Sequence, residues 1–98
     1  MNIYALSSGR GPSGIAIVRL SGKSIMAICK KITKLQKIGE NSLNFCKIVD
    51  PNNNQVVDPE SIMIWFSKPN SYTGEDLAEF HIHGSNAVIN LLLKILSK

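Results

Sequence analysis

The chain has 98 residues, 44% of them hydrophobic and 18% charged, with 7 Gly, 4 Pro, 2 Cys and a formal net charge of +4. One globular domain fits that length and two do not, and a chain of this size buries only about 60–65% of its unfolded surface, so its own core is modest. The longest apolar run, Val88 to Leu96 broken by Asn90 and Lys94, is far short of the roughly 20 residues that a membrane-spanning helix needs.

The opening MNIYALSSG has neither the basic and long apolar regions of a secretory signal nor an Arg-rich transit pattern, so the chain reads as cytoplasmic. Residues 3–7 read as a short strand, and three glycines with Pro12 make residues 9–14 a loop. Residues 15–20 are apolar and β-branched apart from Arg19, as in a largely buried strand. A helix follows, with Ser24 as its expected N-cap and Ile25, Ile28, Cys29 and Ile32 on one face. Cys29 and Cys46 fit no metal or redox spacing and read as reduced core thiols. Strands are expected over 43–49 and 56–66, joined by a turn at DPNNNQ, and Ile62, Ile64 and Phe66 alternate with Met63 and Trp65. Residues 68–76 form a second polar loop. Residues 77–83 alternate again, Leu77, Glu79, His81 and His83 on one face and Ala78, Phe80 and Ile82 on the other. The last helix, 86–97, is apolar almost all round, with only Asn90 and Lys94 as a polar stripe. Such a helix needs cover on more than one side, so a second copy packs there or the sequence is the front piece of a longer protein; the lack of a capping Gly or polar tail favours the latter.

The charge is uneven. Residues 1–39 hold seven basic residues and no acid, whereas the rest holds four lysines against seven acids. The basic half suits an anionic partner such as RNA, but Lys30, Lys31, Lys34 and Lys37 equally well solvate the outside of a helix. Gly9, Gly11 and Gly14 spell a dinucleotide motif, yet a strand follows where a helix is required, and the first acid is Glu40. Gly22-Lys23-Ser24 imitates the end of a P-loop, but Ile17 stands where its first Gly must be, so these residues form no triphosphate cradle. The glycine loop with Arg10 does offer backbone N–H groups to a carboxylate or phosphate. Glu79, His81 and His83 raise a metal site, against which no fourth ligand is evident; the simpler account has His83 bonding the turn at Gly84 and His81 half exposed. Arg19 and Glu79 are each a charge on an apolar strand, and an unpaired buried charge costs several kcal/mol or more. They either pair with each other or line a pocket, Glu79 accepting from a planar donor edge and Arg19 gripping a carboxylate or carbonyl. Pattern alone leaves both open.

SGRGPSGIAIVRLSG (Ser8 to Gly22) and PNSYTGEDLAEFHIHG (Pro69 to Gly84), together 31 of the 98 residues, closely resemble the N-terminal domain of the tRNA modification GTPase family MnmE, also called TrmE. The resemblance implies an α+β domain with a mixed β-sheet and flanking helices, similar to the tetrahydrofolate-binding domain of aminomethyltransferases. It implies that the domain binds 5-formyltetrahydrofolate or a related tetrahydrofolate and forms a homodimer. In the whole protein a helical domain carries a GTPase domain with GTP, Mg²⁺ and K⁺ sites, absent from these residues, so this piece is expected to have no GTPase activity alone. With the flavoprotein MnmG, the family modifies C5 of the wobble uridine of tRNA. Carried over by position, the folate contacts are Arg19, in the RLSG element, and Glu79, after TGED; a further contacting lysine lies past Lys98. Tyr72 is expected to brace its loop. The chain departs from the family at Ser7 and Ser8, where prolines are common, and at Ser85, where Gly is common. The rival is a tRNA-binding and dimerisation module that binds no folate.

Overall fold

The computed structural model describes residues 3–6, 14–67 and 75–97. The glycine loop before Gly14, with Arg10, and Tyr72 lie outside the described residues. Five strands, β1 (Ile3–Leu6), β2 (Ile15–Gly22), β3 (Leu43–Val49), β4 (Val56–Phe66) and β5 (Asp76–His83), form one sheet in the order β1-β2-β5-β4-β3. Helix α1 (Ile25–Thr33) joins β2 to β3, and α2 (Asn86–Leu96) follows β5.

Period-two alternation decides what the sheet buries. Ala16, Val18 and Leu20 of β2, Ala78, Phe80 and Ile82 of β5, and Met63 and Trp65 of β4 all lie on one face and are at most 2% exposed. Both helices pack onto that face. α1 contributes Ile25, Cys29 and Ile32, spaced as the sequence predicts, and α2 contributes Ile89 and Leu92. The apolar remainder of α2 is less covered: Val88, Leu93, Ile95 and Leu96 are half-buried against the core, and Leu91 is exposed. One row of the helix is buried, not its circumference.

The expected mixed sheet is corrected. Every pairing between named strands is antiparallel. β2 and β4 run the same way, but β5 lies between them in the opposite sense, so no two of these strands meet in parallel. The parallel contact among the described residues is an isolated bridge, Glu40 to Trp65.

Local chemistry sets the ends. Ser24 sits at the N-cap of α1 without a side-chain cap bond, contrary to its expected role, whereas Ser85 caps α2 by accepting from the Val88 N–H at 3.2 Å. α1 stops where Lys34 enters the left-handed region at φ 61°, its N–H donating to the Lys30 carbonyl at 2.9 Å. In the DPNNNQ turn, Asp50 and Asn53 side chains accept from the N–H groups of Asn52 and Gln55, and Asn54 takes φ 59°.

Candidate binding site on the open face of the sheet

The other face of the sheet carries the unusual residues. Down the middle strand, β5 presents Leu77, Glu79, His81 and His83. The antiparallel register sets Arg19 beside Glu79 and Ile17 beside His81 from β2, and Ile64 and Ile62 beside the same two residues from β4. Leu43 and Phe45 of β3 extend these two rows. A polar strip on the central strand is thus flanked by isoleucines and ends in Phe45, 72% exposed, and Ile15, 60% exposed.

The two charges singled out in the sequence meet. Arg19 Nε donates to Glu79 Oε2 at 2.9 Å, and His81 Nε2 lies 2.8 Å from Glu79 Oε1. Of the two sequence readings, the pairing is present, but the pair is not sealed: the Arg19 side chain is 41% exposed and that of Glu79 13%. Solvent screening limits such a pair to about 1 kcal/mol. Burial pushes the Glu79 carboxyl up, but the hydrogen bonds and charges of Arg19 and His81 outweigh it and hold the group below its ordinary range. Each of these bonds takes one acceptor position on its oxygen, and a carboxylate offers about four in all. Glu79 is therefore an oriented carboxylate, charge-balanced by Arg19, with acceptor capacity remaining and apolar residues around it.

His83 does not bond the turn at Gly84, as the sequence suggests; the Gly84 N–H donates instead to the Gly14 carbonyl at 3.2 Å. His83 is held by Asp58. The β4–β5 ladder stops at Ile62 and His81, and Pro59 has no N–H to extend it. The Asp58 carboxylate, fully buried, substitutes for the missing ladder bonds. It accepts from the His83 N–H at 2.9 Å and the Glu60 N–H at 3.1 Å, and bonds His83 Nδ1 at 2.8 Å. Asp58 was not singled out from the sequence; the available signal was an acid next to a proline inside a strand that is apolar at both ends. Between the starts of β2 and the bend of β4, an open pocket of about 280 Å³ is lined by Ile15, Phe45, Glu60, Ile62, His81 and His83, among others.

Glu79 and His81 thus face Arg19, while His83 is engaged by Asp58. Among the described residues no group of three or more His, Cys, Asp or Glu is placed to hold a metal ion. Both cysteines are free thiols; burial, reinforced by Cys46, pushes Cys29 up to about 12, and burial raises Cys46. Lys30, Lys31, Lys34 and Lys37 are exposed, on α1 and just after it. No helix among the described residues is long and apolar enough to cross a membrane.

A family model described as the GTP-binding protein TrmE N-terminus matches residues 2–98. The chain is 50% identical over 98 residues to a tRNA modification GTPase MnmE of Pelagibacter ubique (strain HTCC1062), covering 100% of the chain and 22% of that protein. It is 42% identical over 93 residues to the mitochondrial tRNA modification GTPase gtpbp3 of Dictyostelium discoideum, covering 89% of the chain and 18% of that protein. It is 41% identical over 97 residues to an MnmE of Zymomonas mobilis subsp. mobilis, covering 98% of the chain and 22% of that protein. The chain spans about a fifth of the length of these curated relatives.

Proposed function

The chain belongs to the TrmE N-terminal family, and from that premise we propose that it is the tetrahydrofolate-binding and dimer-forming domain of a tRNA modification GTPase. In this reading the whole protein works in the cytoplasm with the flavoprotein MnmG on C5 of the wobble uridine of tRNA, and the domain is akin to the folate domain of aminomethyltransferases. GTP, with its Mg²⁺ and K⁺, belongs to other parts of the protein, because these 98 residues contain no P-loop sequence.

The observation that carries the proposal is the Arg19–Glu79–His81 triad on the open sheet face. Its donor set fits the ligand class. Glu79, bonded once on each oxygen, retains acceptor positions for the adjacent N–H donors of a pterin edge. Arg19 supplies a cation for a carbonyl or carboxylate, and Ile17 and Ile62, half-buried beside His81, supply flat apolar surface. A bound tetrahydrofolate supplies the one-carbon unit; Arg19 and Glu79 bind and orient it. The exposed Leu43, Phe45 and Ile15 on the same face are apolar surface for a second copy, so ligand binding and dimerisation would each favour the other.

Calorimetric titration of the chain with 5-formyltetrahydrofolate tests this. Saturable binding is expected, weakened about tenfold or more by Arg19→Ala and by Glu79→Ala, each of which removes a charge-assisted hydrogen bond. A flat titration of a dimeric sample refutes it. That result favours the second reading, a folate-free tRNA-binding and dimerisation module, which the exposed Lys30, Lys31, Lys34 and Lys37 support.

A further inference from the structure

His81 lies two steps along β5 from Glu79, on the same side of the sheet. Its side chain is 25% exposed and is flanked in register by Ile17 of β2 and Ile62 of β4. Nε2 is 2.8 Å from Glu79 Oε1. Burial raises the Glu79 carboxyl, but the bonds and charges of Arg19 and His81 outweigh it. Near neutral pH the group is therefore a carboxylate, which accepts and has no hydrogen to give. Nε2 of His81 carries the hydrogen of their bond, in the neutral ring and in the protonated one alike.

The last torsion of a glutamate joins a tetrahedral carbon to a planar carboxyl, and its own preferences hold it only loosely. A single hydrogen bond on one oxygen leaves the carboxyl plane free to turn about that bond. In Glu79 the two oxygens are held separately. Arg19 Nε reaches Oε2 from the neighbouring strand at 2.9 Å, and His81 Nε2 reaches Oε1 along the same strand. Two anchors on different oxygens, coming from different directions, fix the plane and with it the acceptor positions that remain. We propose that His81 is a positioning residue of this site, acting through Glu79: it binds the second oxygen so that the carboxylate meets its ligand already oriented. The inference rests on the folate reading for what the carboxylate binds, and it adds a residue whose work is done before the ligand arrives. Without His81 the ligand must immobilise Glu79 itself, which weakens binding by about three- to tenfold.

Two variants separate this role from a merely structural one. His81→Leu suits the apolar surroundings of Ile17 and Ile62 but offers no donor, whereas the side-chain amide of His81→Gln has a similar reach and donates to Oε1 without the ring. NMR of the ¹³C-labelled chain follows the Glu79 carboxyl through a pH titration, and calorimetry with 5-formyltetrahydrofolate follows affinity. In His81→Leu the carboxyl is expected to titrate higher than in the original chain, and the ligand to bind about three- to tenfold more weakly. His81→Gln is expected to bring the titration back down and the affinity to within about twofold of the original. Melting curves check the fold; should the Leu variant melt early, His81→Met takes its place with the same expected losses. The inference is overturned if the folded Leu or Met variant leaves the Glu79 titration where it was or binds as tightly as the original chain, or if His81→Gln behaves no better than that variant. The folate reading fails separately, when 5-formyltetrahydrofolate gives no heat with the original chain; the Glu79 titration in the variants then decides the role of His81 alone.

Discussion

Removing the Asp58 carboxylate tests how this sheet ends. Asp58→Ala strips the acceptor from three donors: the backbone N–H groups of His83 and Glu60 and the imidazole of His83. Glu60 and the His83 ring are exposed and turn to water. That leaves the His83 N–H, at the end of the central strand, where an orphaned donor costs about 1–3 kcal/mol. The space left by a fully buried carboxylate adds about 1 kcal/mol. The total, about 2–4 kcal/mol, is a large share of the roughly 5–15 kcal/mol that holds a domain of this size together. At about 4–8 °C per kcal/mol, the melting temperature falls by roughly 8–32 °C. His83→Ala removes only one bond of a mostly exposed ring and costs about 0.5–1 kcal/mol. Thermal melting followed by circular dichroism, with urea titration to check that the surface exposed on unfolding is unchanged, reads both variants. The reasoning is refuted if Asp58→Ala melts within a few degrees of the original chain, or if His83→Ala costs as much.

Acid should loosen the Arg19–Glu79–His81 triad. The folded Glu79 carboxyl titrates below its ordinary 4.5, so its contribution is complete above that value and is lost as pH falls through the folded one. With Arg19 partly in solvent the loss is about 1 kcal/mol, and Glu79→Gln flattens that limb of the pH–stability profile; an unchanged limb counts against the triad. Phe45→Ser probes the proposed homodimer. Phe45 is 72% exposed, so its removal barely changes the melting temperature, yet sedimentation velocity is expected to shift from dimer to monomer; a monomeric original chain, or an unaltered dimer, counts against a second copy on this face.

The elements were legible because their signals are local. Alternation along Leu77 to His83 placed Glu79, His81 and His83 on one face and Phe80 and Ile82 on the other, and the sheet keeps that division. The Asn-rich turn was equally plain, since Asn and Asp side chains bond their own backbone. Pairing was not legible. Nothing near Arg19 in the chain announces that Glu79, 60 positions away, lies beside it; only the insertion of β5 between β2 and β4 brings the two together. The same insertion accounts for the antiparallel sheet. Asp58 escaped notice for a related reason: its partner His83 is 25 positions off, and the local sequence offered only a proline to mark the break. Ser85 shows a departure from the family pattern filling another role, as the cap of α2.

The arrangement of the open face depends on parity. Arg19, Glu79, His81 and His83 look outward only because each stands an even number of steps from its neighbours on that side. A single extra residue within β2 or β5 would turn these groups into the oily interior and bring Val18 or Phe80 out in their place. Changes of length in β2 and β5 are therefore tolerable in twos, or where an irregularity absorbs the odd residue, as β4 does opposite β3, taking one extra residue between Ser61 and Asp58 and another between Asp58 and Val56.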